Sequence, residues 1–216
     1  ERDWPETKHI QQMPDDTLKV DAWLALSRQH QGSNYANALR AADSALSVAQ
    51  RIGNEHEMAH CNQQLGSIHY YSGNLEEALF HYNKALRYFQ KVGAEANVAK
   101  VLGNIGLVKR NQAKFDEAME YFFQALAIKQ KGTDTNSLAF TQISIGETYA
   151  IKRNFELAEV YFQDALSNFR IAGNKRMEHS MLLNLGGFYL DKDDYDKAFD
   201  YVLLAQPYFE ANGPLE

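Results

Sequence analysis

Apolar residues recur along this chain with two superposed periods. The short one is helical. Leu75, Ala78, Leu79, Tyr82, Ala85, Leu86 and Phe89 fall at i, i+3, i+4, i+7 and onward, and Cys61, Leu65, Ile68 and His69 keep helical spacing just upstream. Between them Ser72-Gly73-Asn74 breaks the pattern, so the spacing predicts one helix over Glu57–Tyr71 and a second from Leu75 to near Gly93. The long period is 40 residues: Ala38, Ala78, Ala118, Ala158 and Ala198 keep that step, and so do Ala45, Ala85, Ala125, Ala165 and Ala205. The same step returns an aromatic or leucine at Tyr35, Leu75, Phe115, Phe155 and Tyr195. It also returns an apolar-Gly pair at Leu65-Gly66, Ile105-Gly106, Ile145-Gly146 and Leu185-Gly186.

A period in this range predicts stacked copies of one supersecondary unit. Each copy holds two helices, A and B, that a short turn must set antiparallel, and neither buries its apolar face without the neighbouring copy. Five units are expected, over about 15–53, 54–93, 94–132, 133–173 and 174–212, after an extension over 1–14 and before a tail over 213–216. The helix A glycines are expected to let helix B approach closely, at a cost of about 1 kcal/mol each against alanine. The recurring alanines mark the helix crossings. The first copy has Ala25-Leu26 where the Gly pair belongs and reads as an atypical end unit. Asp15 or Asp16 is expected to cap the first helix, and Pro207, inside the last one, to kink it by removing the bond to Leu203.

The apolar-Gly pair in helix A, followed by two alanines in helix B, resembles the tetratricopeptide repeat, over residues 15 to about 212. The resemblance implies an all-α, right-handed superhelical solenoid of five helical hairpins with no chemistry of its own. Linkers such as Ile52-Gly53-Asn54 and Ala172-Gly173-Asn174 are similar to those of three groups: sensor regions of Bacteroidetes-type signalling proteins, Rap-type peptide-binding regulators, and Pins/LGN adaptors. The opening stretch Met13–Gln29 favours the first group. The expected function is thus protein or peptide binding in the sensory region of a bacterial signal-transduction protein, with a stand-alone scaffold or adaptor as the alternative.

In the family, helix A lines the concave face where peptides lie. Two residues before each helix A glycine stand Gln64, Asn104, Ser144 and Asn184, a polar row able to donate to and accept from an extended main chain. His60, Ser67, Tyr70, Lys100, Arg110, Phe140 and Glu147 share that face, with Trp23, Ser27, Gln63, Leu107, Ile143, Leu183 and Leu190 beside them. Of the apolar members, Phe140, Ile143, Leu183 and Leu190 are expected to pack on the next helix.

Composition narrows the function classes. The net charge is −6 and the basic residues are scattered, so no nucleic-acid partner is expected. No apolar run approaches the roughly 18 residues of a membrane span. The one cysteine, Cys61, is expected as a buried small side chain. A chain opening at Glu1 and closing on Leu215-Glu216 is expected to be a processed or cloned fragment whose array continues elsewhere or self-associates through its C-terminal unit. The compartment is periplasmic if this is a sensor region and cytoplasmic otherwise. One motif points away from pure binding: His56-Glu57-Met58-Ala59-His60 has the H-E-x-x-H spacing of zinc hydrolases, with Glu76, Glu77 or His81 as the available third ligand. It lacks the H-x-x-G-x-x-H continuation and any strand to hold a substrate, so neither a metal nor another cofactor is expected.

Overall fold

The computed structural model describes Trp4 and residues 6–213; Pro214, Leu215 and Glu216, most of the expected tail, lie outside the described residues. Among these residues eleven helices follow one another: α1 (Thr7–Gln12), α2 (Thr17–His30), α3 (Tyr35–Arg51), α4 (Glu55–Tyr71), α5 (Leu75–Lys91), α6 (Glu95–Asn111), α7 (Phe115–Lys129), α8 (Thr135–Ile151), α9 (Phe155–Ile171), α10 (Lys175–Asp191) and α11 (Tyr195–Asn212). The chain divides into two compact units, residues 1–112 and 113–216. In the first, α2 pairs with α3 and α4 with α5, while α6 packs on α5. In the second, α7 packs on α8, and the pairs are α8 with α9 and α10 with α11. The fold is all-α, built of consecutive helical hairpins.

One turn chemistry sets these boundaries. At the end of α3, Gly53 N–H donates to the Gln50 carbonyl and Asn54 N–H to the Ala49 carbonyl, the two reverse bonds of a Schellman C-cap. Asn54 then caps α4 at once, its Oδ1 accepting from the His56 and Glu57 amides. The same pair of reverse bonds recurs at Gly73/Asn74, Gly93/Ala94, Arg153/Asn154, Gly173/Asn174 and Asp193/Asp194. The residue that must turn left-handed is glycine at 53, 73, 93 and 173, but Ala113, Arg153 and Asp193 hold the equivalent place at φ 57°, 60° and 59°. There an L side chain is strained, by roughly 1 kcal/mol.

Packing explains the repeated small residues. A Cβ on Gly66 would lie 2.6 Å from the Tyr82 ring and one on Gly146 2.6 Å from the Phe162 ring, while on Gly186 it would lie 3.1 Å from Val202 Cγ2. At the first two crossings helix A therefore needs glycine because an aromatic ring of helix B lies against its backbone, and at Gly186 an added Cβ would press on a β-branched side chain by a few tenths of an ångström. Ala38, Ala78, Ala118 and Ala158 are all fully buried. Cys61 is buried as well, and burial pushes its thiol up to about 12.

The ends differ from the repeat. Asp16 caps α2 by accepting from the Lys19 amide. Asp15 instead receives Lys19 Nζ at 2.9 Å and Arg51 Nε at 2.7 Å, and these partners, Arg51 first, hold its carboxyl down at about 2. At the other end α11 runs on past Pro207 to Asn212. Pro207 and Leu203 are both exposed, so water can satisfy the Leu203 carbonyl that loses its helical partner.

Candidate functional site

From α4 onward each helix A carries an accessible stripe at i, i+4, i+7, i+10 beside its buried face, whereas the equivalent Val20, Leu24 and Ser27 of α2 are buried. On α4 the stripe is His60, Gln64, Ser67 and Tyr70, all half-buried, flanking the fully buried Leu65 and Ile68. On α6 it is Lys100, exposed, then Asn104, Leu107 and Arg110, half-buried. In the second unit α8 presents Phe140, Ser144 and Glu147, and α10 presents Asn184, Gly187 and Leu190. Phe140 and Leu190 are 47% and 52% exposed, against the expectation that they pack away. Phe140 sets only one edge against Phe169, at 5.3 Å between ring centroids. Ile143 and Leu183 do pack, on the core formed by α9, α10 and α11. Trp23, Ser27 and Gln63 are buried.

The polar row is engaged to different degrees. Gln64 Nε2 donates to Gln31 Oε1 at 3.0 Å and Ser27 Oγ at 3.4 Å, tying α4 to α2. The Ser67 hydroxyl accepts from Tyr82 OH at 3.1 Å, and Ser144 returns its proton to the Phe140 carbonyl of its own helix. Asn184 stands exposed. Gln64 therefore offers mainly spare acceptor capacity and Ser67 keeps its hydroxyl proton to donate, whereas Asn184 keeps both faces of its amide for a ligand.

Around His60 the surroundings are aromatic. The His56 and His60 rings meet edge to face at 4.6 Å, with Tyr88 beside His56 at 6.2 Å and Phe89 beside His60 at 5.2 Å. Burial and then the neighbouring His56 lower the His60 pKa, which favours the neutral ring. Glu57 faces His56 Nδ1 at 3.3 Å. His81 stacks on His69 at 5.4 Å and donates through Nδ1 to Asn62 Oδ1, while Glu76 accepts from Gln112. No group of three metal-ligating side chains forms among the described residues.

A cleft that the repeat pattern does not reveal lies in the first unit. Its volume is about 460 Å³, and Trp4, Lys19, Trp23, Arg40, Ser44 and Arg51 line it. Both tryptophans of the chain border it, and Arg40 lies over Trp4 at 5.6 Å. The cleft exists because α1 folds back on α2, held by Lys19 Nζ bonds to the Gln11 and Met13 carbonyls. The two tryptophans near the N-terminus were the available signal for it.

Consecutive antiparallel hairpins of 17-residue helices, glycine facing aromatic at the crossing, define a helical-repeat protein that presents variable side chains on a uniform scaffold. The tetratricopeptide repeat model matches residues 16–91 and 97–171, and the chain belongs to that family. No curated protein matches it in sequence. Among solved structures it is similar to a Rap protein complexed with Competence and Sporulation Factor, with TM-score 0.81 and 15% identity over 93% of this chain and 56% of that one. It is also similar to BtubC (BKLC) from P. vanneervenii, with TM-score 0.76 and 21% identity over 93% and 85% of the two chains. A third likeness is to a signal transduction ATPase with a tetratricopeptide repeat sensor from Pyrococcus horikoshii, with TM-score 0.75 and 16% identity over 93% of this chain and 32% of that one. The chain thus spans little more than half of the Rap protein and a third of the ATPase; at these identities the likeness is one of fold. No helix among the described residues is long and apolar enough to cross a membrane.

Proposed function

We propose that this chain is a non-catalytic module that binds a protein or peptide segment along its helix A stripes, in the sensing part of a signal-transduction protein. One observation carries the reading. The stripe is the surface on which the repeats disagree: His60, Lys100 and Phe140 occupy one repeat position, and Ser67, Leu107, Glu147 and Gly187 another. A buried position constrained by packing keeps its residue class, as the alanines do. An accessible position that changes class on an unchanged backbone suits recognition of a particular ligand. Neighbouring amides such as Asn104 and Asn184 would take main-chain groups, and Phe140, already exposed, would supply an apolar anchor.

The Rap structure complexed with Competence and Sporulation Factor and the ATPase's repeat sensor support this reading by analogy of fold. The similarity of Met13–Gln29 to the opening of sensor arrays supports the signalling context.

The test is selection of random 12-residue peptides displayed on phage against the 216-residue chain, followed by titration of the recovered peptides. Asn104→Ala with Lys100→Ala, or Asn184→Ala with Phe140→Ala, should weaken binding more than about fivefold, as truncating an interface residue worth over 1 kcal/mol does. Substituting the exposed Glu120 and Gln124 of α7 should not. Peptides insensitive to every stripe variant would overturn the assignment.

A further inference from the structure

The last helix carries a second surface, distinct from the stripes. Tyr195, Phe199, Val202 and Leu203 follow one another at i, i+4, i+7, i+8 along α11 and are 66%, 63%, 42% and 45% exposed. They form one continuous apolar ridge. The repeat itself shows what such a ridge does, because the equivalent positions 40 residues earlier, on α9, are covered. Phe155 and Phe162 meet Phe188 of α10 at 5.9 and 5.2 Å. Glu159 accepts from Tyr189 OH and Lys192 Nζ of α10, and Gln163 donates to Tyr201 OH of α11. In the first unit Leu39 and Leu46, the counterparts of Phe199 and Gln206, pack against Leu65 and Ile68 of α4. A helix laid antiparallel to α11 would meet the geometry that α10 offers α9.

Charge selects the kind of helix. Asp196 and Asp200 are exposed along the outer edge of the ridge, and Glu210 continues it toward the C-terminus. Against these three acids α11 has one base, Lys197, which is paired with Asp194 at 3.5 Å. The end of α10 and the turn after it add Asp191 and Asp193, while Lys192 is spent on Glu159. Two copies of α11 placed ridge to ridge would juxtapose these acidic edges. We propose that the α11 ridge is a docking site for an amphipathic helix whose apolar stripe is flanked by Lys or Arg. The apolar contact supplies affinity, and the acidic edge rejects helices flanked by Glu or Asp.

The probes are two fluorescein-labelled 18-residue model helices with the same leucine stripe, one flanked by lysines and one by glutamates, titrated by anisotropy against the 216-residue chain at two salt concentrations. The lysine helix should bind at least tenfold more tightly than the glutamate helix and weaken as salt rises. Phe199→Asp with Leu203→Asp should abolish binding while leaving the circular dichroism and melting temperature unchanged, since both side chains are exposed. Asp196→Lys with Asp200→Lys keeps the ridge and should reverse the preference between the probes. Equal binding of both helices would overturn the charge selection. Binding insensitive to the ridge variants would overturn the site. A concentration-dependent dimer in light scattering, dissolved by the ridge variants and blocking the lysine helix, would assign the ridge to a second copy of this chain instead.

Discussion

Gly146 and Gly187 sit in neighbouring helices A, yet the structure gives their replacement by alanine opposite signs. In a helix interior glycine costs about 1 kcal/mol relative to alanine, so on propensity alone both substitutions stabilise. At Gly187 nothing lies within 4 Å of the added Cβ. The full gain should appear there, raising the melting temperature by roughly 2–4 °C for a chain of this size. At Gly146 the Cβ would stand 2.6 Å from Phe162 Cε1 and 2.7 Å from Cδ1, where carbon pairs rest at about 3.5–4.0 Å. The ring must retreat by about 1 Å. It has little room, because Phe162 is 5% exposed and meets Phe188 edge to face at 5.2 Å. Overpacking of this kind costs about 1–3 kcal/mol, and the rigid surroundings place it in the upper half. Setting about 1 kcal/mol of propensity against it leaves Gly146→Ala destabilised by about 1–2 kcal/mol. The assay is thermal and urea unfolding followed by circular dichroism, with Phe162→Leu added alone and in combination. Shrinking the ring should recover more than about 0.5 kcal/mol beyond additivity. A Gly146→Ala chain as stable as the parent, or a pair of substitutions that is strictly additive, would refute the claim that the Phe162 ring is what excludes a side chain there.

Three further outcomes follow from single features. Burial first, and then the charges of His69 and Lys84, hold His81 down at about 4, below its unfolded value near 6.5. Between these values the unfolded chain binds more protons, so stability is fully present above about 6.5 and is lost as pH falls toward 4. His81→Tyr, the residue found at 121, 161 and 201, should flatten melting temperature against pH in that window, and an unchanged slope would count against the assignment. The buried Cys61 thiol, raised to about 12, should react with a disulfide reagent at least about a hundredfold more slowly in the native chain than in denaturant; fast native labelling would show that α4 opens. Ala113 turns left-handed at φ 57°, so Ala113→Gly should stabilise by up to about 1 kcal/mol, less whatever the freer unfolded chain takes back. A loss in urea unfolding would mean that the methyl group contributes packing that outweighs its strain.

The hairpins were legible in the sequence because several signals agree at each boundary. Gly53, Gly73, Gly93 and Gly173 announce left-handed turns, and Asn54, Asn74, Asn154 and Asn174 follow at the helix starts. α4 begins at Glu55 rather than Glu57 because Asn54 caps it, an exchange of bonds that apolar spacing does not register. Where Arg153 and Asp193 replace glycine, only the long period carried the prediction. The crossing sizes were also written in the chain, sixteen positions apart: Gly66 with Tyr82, Gly146 with Phe162 and Gly186 with Val202. In the first hairpin the position of the ring is taken by the small Ala42, so no ring there calls for glycine at Leu26.

The candidate surface was legible only in outline. Phase places Gln64 and Ser67 on the accessible stripe of α4, but their bonds to Gln31, Ser27 and Tyr82 come from other helices, whose rotation about their axes no spacing rule fixes to within a hydrogen bond. The H-E-x-x-H spacing does set His56 and His60 on one face, and that is all a spacing can do. The side chains that close around them are Tyr88 and Phe89 from α5, neither of them among the Cys, His, Asp and Glu side chains that ordinarily hold zinc. The cleft under α1 is closed by Trp4, Thr7 and Gln11, which precede the first repeat and follow no period. Where copies of a unit agree, their agreement records what packing demands: alanine at a crossing, glycine beneath a ring. Where they disagree on an accessible face, packing has made no demand, and the residue is free to serve a ligand. By that criterion the α11 ridge is informative at Phe199, which keeps the apolar class of Leu39, Leu79 and Met119 at the same repeat position yet is 63% exposed, as a face that meets a further helix would be.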